Sequence, residues 1–121
     1  MKLSSLNKTW ILDLDGTIVK HNGYLIDGQD TLLPGIKKFL EQISTDDFVI
    51  IVTARRIEYR EQTEIFLRDN QIRYDVIVWN TPNGERILVN DIKPNGLHTA
   101  IAINTVRDEA CGKKFVIDDN L

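Results

Sequence analysis

The chain has 121 residues, of which 42% are hydrophobic and 27% charged, with a formal net charge of −3 and one cysteine. These are ordinary globular proportions for one domain, residues 1–121, so disorder is not the default. The acidic balance supplies no general polyanion-binding surface and argues against nucleic acid as a partner. No apolar run is long enough to span a bilayer, and no signal peptide is visible. The lone Cys111 cannot form an internal disulfide, which fits a reducing, cytoplasmic setting.

In chain order, "WILDL" at 10–14 reads as a buried strand that runs into Asp13, skips one residue and adds Asp15 before turning at Gly16-Thr17. Two carboxylates two residues apart on a strand share a face. At ~4 Å and an effective dielectric of ~20 their repulsion is roughly 4 kcal/mol, so either solvent or a positive group is expected between them. "TIVKHNGYLI", 17–26, has apolar flanks around Asn22-Gly23, the signal of a short β-hairpin flap. Ile36, Phe39, Leu40 and Ile43 fall at helical spacing, with Pro34 suited to the first turn.

"DFVIIVTA", 47–54, is a stronger strand whose unbroken β-branched run predicts burial on both faces. Tyr59, Thr63, Phe66 and Leu67 predict a second helix, "YDVIVWN" (74–80) a third strand and "RILVND" (86–91) a fourth. Strand and helix in alternation imply α/β architecture with a parallel sheet and right-handed crossovers. The step from Asp91 to "TAIAIN" (99–104) is too short for a parallel crossover, so that segment and "KKFVID" (113–118) are expected to add as antiparallel or edge strands. Ligands of such sheets bind beyond the carboxyl ends of the strands. Those ends carry Asp13 and Asp15, then Thr53-Ala54-Arg55-Arg56, then Asn90-Asp91 and Lys93. His21 and His98 read as surface residues with no zinc spacing.

With "DLDGT" (13–17), "IIVTAR" (50–55) and "ILVND" (87–91) in this order, the sequence resembles the haloacid dehalogenase (HAD) superfamily of phosphotransferases over residues 9–93. The resemblance implies a Rossmann-like three-layer fold and a Mg²⁺-dependent phosphatase. In it, Asp13 is the nucleophile that forms an aspartyl-phosphate, and Asp15 protonates the leaving oxygen and then activates water. It implies Mg²⁺ on Asp13, the carbonyl of Asp15 and Asp91. Gly16 and Thr17 would lie beside the phosphate and Thr53 would bind a phosphoryl oxygen; Arg55 is a candidate substrate ligand, with a solvated helix start as its other reading. Asn90 would assist at the metal site, or have an orienting or purely structural role.

The third-motif lysine is missing from "NTPNGER"; Lys93 is the favoured replacement and Arg86 the runner-up. "FVIDD", 115–119, imitates the fourth motif, but Asp91 is preferred. The implied substrate is a small phosphorylated molecule, with a sugar phosphate favoured. The rivals are a phosphomutase or phosphotransferase, and a catalytically weak phosphate-binding regulatory module. With no room for a cap domain, a homo-oligomer is expected to help wall the site.

Overall fold

A computed structural model describes residues 1–121. In chain order its elements are β1 (Lys2–Leu3), β2 (Thr9–Asp13), α1 (Gly23–Ile26), α2 (Ile36–Leu40), β3 (Phe48–Val52), a 3₁₀ turn (Ile57–Tyr59), α3 (Arg60–Asp69), β4 (Val76–Val78) and β5 (Val116–Ile117). The fold is α/β with parallel sheets. One sheet has the order β2-β3-β4, with Ile11 opposite Ile50 and Ile50 opposite Val76. β1 and β5 form a separate parallel pair.

Leu12, Val49 and Ile51 point from one sheet face into a core shared with Ile36 and Phe39 of α2 and Leu67 of α3. Right-handed crossovers between strands laid down in one direction put both helices on the same face. The burial expected on both faces of β3 is therefore found on one: Val49 and Ile51 are fully buried, Ile50 and Val52 only partly. Ile11, Phe48, Val76 and Val78 remain 42–51% exposed on the other. Pro34 precedes α2, whose N-cap is Gly35.

Two carboxylates splint the sheet. Asp47 accepts from the Lys8 amide at 3.0 Å and the Trp10 indole at 2.8 Å, and Asp75 accepts from the Val49 amide at 2.7 Å.

Three expectations are corrected. Asn22-Gly23 is not a hairpin turn: a type I′ turn needs positive φ at both central residues, and here only Asn22 has it, ahead of the short α1. The chain instead makes a larger loop closed at its base by the Val19–Leu32 bridge. No fourth strand forms at 86–91 and none at 99–104; residues 79–115 contain no regular element, and Ile87 and Val89 are 84% and 90% exposed. Finally, β5 pairs in parallel with β1, not antiparallel. Its partner strand lies at the opposite end of the sequence, where local patterning carries no signal.

Candidate functional site

The carboxyl ends of β2 and β3 lie side by side, since Asp13 is in register with Val52. After β2 the chain turns sharply. The amides of Thr17, Ile18 and Val19 all donate to the Leu14 carbonyl, and Gly16 takes φ +82°. A Cβ there would also meet Arg107 Cγ at 3.2 Å, so the position requires glycine. This turn leaves the amide and the carbonyl of Asp15 without a hydrogen-bond partner from the protein. Unpaired backbone groups are uncommon, and here they gather beside one carboxylate.

That carboxylate is Asp13. Its Oδ2 accepts from the Thr17 hydroxyl at 3.0 Å and its Oδ1 from Arg86 Nη1 at 2.8 Å. The side chain is 37% exposed, so it stays open to an incoming group. Lys93 makes no contact with it: its backbone closes a tight turn with Leu97 and Gly96. The structure thus brings Arg86 to Asp13, where the sequence ranked Lys93 first.

Asp15 faces a different cation. Arg55 Nη2 and Nε donate to its Oδ1 and Oδ2 at 2.8 and 3.3 Å. Burial works against the Arg55 charge, but its hydrogen bonds and Coulomb attraction to Asp30 and Asp15 outweigh this and raise its pKa, so it is always protonated. Sequence reasoning made Arg55 a candidate substrate ligand; its side chain is fully buried and committed to protein partners instead. The crowding of Asp13 and Asp15 is thereby relieved by two guanidinium groups, one on each acid.

Thr53 directly follows β3, buried, with its Oγ1 accepting from the Arg55 amide at 2.9 Å and its hydroxyl proton uncommitted. Thr81 donates its amide to the Thr53 carbonyl, and its own Oγ1 is a buried polar atom with no partner. Nothing in the sequence pointed to Thr81.

The oxygens available to a hard cation are those of the Asp13 carboxylate and the Asp15 carbonyl. They fit Mg²⁺, which takes one or two carboxylates and fills its remaining positions with water and phosphate. Asp91 lies exposed in the stretch without regular elements, and no three His, Cys, Asp or Glu side chains converge on a common point. The Asp91 carbonyl accepts from the Thr99 hydroxyl, and Asn90 also bonds Thr99. Asp118 lies by β1, its amide on the Leu3 carbonyl.

No protein-family model matches the chain, and no curated protein matches it. Among solved structures it is similar to a chain of the Pnkp1/Rnl/Hen1 RNA repair complex, at 33% identity over 71% of its length and a TM-score of 0.49. A second chain, from a structure of the Pnkp1/Rnl/Hen1 complex, is 34% identical over 69% of its length with a TM-score of 0.47. The match spans about a third of either of those chains, 30% and 31%.

Proposed function

We propose that the chain is a Mg²⁺-dependent phosphatase of the HAD type, acting on a small phosphorylated molecule through an aspartyl-phosphate on Asp13. The observation that carries this reading is the set of groups around Asp13. An accessible carboxylate oriented by Thr17 and Arg86 lies next to the unpartnered amide of Asp15, at the carboxyl edge of a parallel sheet. A free backbone donor beside a nucleophile is what a phosphoryl group with developing charge requires.

An Asp13 carboxylate oxygen forms the new bond to phosphorus as the bond to the leaving oxygen breaks. Asp15 supplies the proton that leaving oxygen needs, and then takes one from the water that releases inorganic phosphate. Thr53 and Thr81 offer hydroxyl protons to phosphoryl oxygens, and Arg86 offsets phosphoryl charge. Mg²⁺, held by the Asp13 carboxylate and the Asp15 carbonyl, would supply further charge neutralisation.

The reading extends to a Rossmann-like three-layer arrangement, in which the apolar sheet face of Ile11, Phe48, Val76 and Val78 gains a cover. It extends also to a cytoplasmic protein, which the unpaired Cys111 supports; no helix is long and apolar enough to cross a membrane.

Inorganic phosphate release from a panel of sugar phosphates, with Mg²⁺ and with chelator, tests the proposal. Asp13→Asn is expected to abolish release, and chelation to do so reversibly. Full activity in Asp13→Asn removes the nucleophile, activity indifferent to chelator removes the metal, and phosphoryl transfer without phosphate release makes the chain a mutase or transferase.

A further inference from the structure

Arg55 uses all five of its N–H donors on protein. Nη1 donates to Asp30 Oδ2 at 2.8 Å and to Thr63 Oγ1 at 2.9 Å, and Nη2 donates to Asp30 Oδ1 at 2.9 Å and to Asp15 Oδ1 at 2.8 Å. The fifth donor, Nε, reaches Asp15 Oδ2 at 3.3 Å. The guanidinium carbon lies 3.8 Å from the centre of the Tyr24 ring, which packs edge-on against Tyr59 at 4.8 Å. Thr63 is itself fixed by donating to the Tyr59 carbonyl at 2.7 Å. Asp30 and Tyr24 both come from the loop that closes at the Val19–Leu32 bridge, while Arg55 and Thr63 belong to the β3–α3 connection and α3.

A guanidinium with a fork–fork partner on one side and a ring on its face has no rotational freedom left. Whatever it holds on its other side is held in one rotamer, and that group is Asp15. Asp30 is 4% exposed and touches none of the groups placed around phosphorus, so a direct role in the reaction is closed to it. An Asp–Arg–Asp chain this deep is a costly way to join two loops, since desolvating buried ions offsets much of their attraction. Orienting the Asp15 carboxylate is a use that an apolar plug could not serve.

Resting on the phosphatase reading above, we propose that Asp30 is a positioning residue that fixes the Asp15 carboxylate through Arg55, with Tyr24 as the plate on which Arg55 lies.

A misplaced proton donor matters most when the leaving oxygen is a poor leaving group. The test therefore compares kcat/KM for an alkyl phosphate, glycerol phosphate, with that for para-nitrophenyl phosphate, whose leaving group departs without help. Asp30→Asn is expected to lose about 10–100-fold on the alkyl ester, the scale of a small misplacement of a reacting group, and at most a few-fold on the aryl ester. Tyr24→Leu removes the plate without touching a charge and is expected to show the same skew more weakly; it serves if Asp30→Asn does not fold by circular dichroism.

In an Asp15→Asn background, adding Asp30→Asn should change neither rate by more than about twofold, because Asp30 would have nothing left to position. Equal losses on both esters, or a further tenfold loss in that background, would overturn the proposal and leave Asp30 as a structural ion pair. A wild-type chain that hydrolyses neither ester would overturn the phosphatase reading and this proposal with it, an outcome distinct from active protein with additive losses.

Discussion

Asp13 and Asp15 are two residues apart and have different neighbours. Arg86 and Asp13 are both more than a third exposed, so their ion pair adds little to stability. Arg86→Ala should therefore fold normally, and any loss of rate reads on chemistry. We expect kcat/KM to fall by about 10²–10³, the usual cost of removing one charge-stabilising donor, and to fall far less in Lys93→Ala. The opposite ranking would return the role to Lys93. The sequence favoured Lys93 because it stands two residues from Asp91. The structure favours Arg86 because residues 79–115 bring it back to the end of β2, a separation of 73 residues that no motif spacing encodes.

At the scale of elements, the register of β2 on β3 rests on Asp47 as well as on the apolar residues. This carboxylate, 7% exposed at the start of β3, accepts from the Lys8 amide and the Trp10 indole across the strand pair. Burial pushes its pKa up, but those two hydrogen bonds, the Lys8 charge and the Ser44 backbone together outweigh burial and hold it below the usual carboxylate value. A group whose folded pKa is depressed contributes stability above its unfolded value near 3.9 and loses it as pH falls through the folded value. Thermal melts of wild type and Asp47→Asn should differ by about 1–3 kcal/mol near neutral pH, the value of charge-assisted bonds. The gap should close below about pH 4. A gap constant from pH 7 to pH 3 would mean that the Asp47 charge contributes nothing.

For the whole molecule, the open sheet face and the segment that follows β4 leave much apolar surface in water. Ile11, Phe48, Val76 and Val78 lie on that face, β4 is an unpaired edge, and Ile87 and Val89 are almost fully exposed. Monomers rarely leave contiguous patches of this kind, and an open strand edge invites pairing. Sedimentation at micromolar concentration should show a dimer or tetramer, and Val76→Lys with Val78→Lys should shift it towards monomer. A clean wild-type monomer of 13.9 kDa would remove the oligomer and leave the open face to a different cover.

The sequence by itself determined the parallel β-α-β-α-β run and the position of Asp13. Strands 10–14, 47–54 and 74–80 and the two helices between them are local patterns of apolar spacing, and Asp-Gly after a buried strand is a local turn. The tertiary structure alone decided which cation faces which acid. Asp15 meets Arg55 across 40 residues and Arg55 meets Asp30 across 25, and a charged side chain shows the same letter whether solvated or clamped. It also decided the fate of "RILVND" and "TAIAIN". Their apolar patterns satisfy a strand's local preference, but a strand forms only where a neighbouring edge offers backbone partners, and that partner is a property of the folded chain.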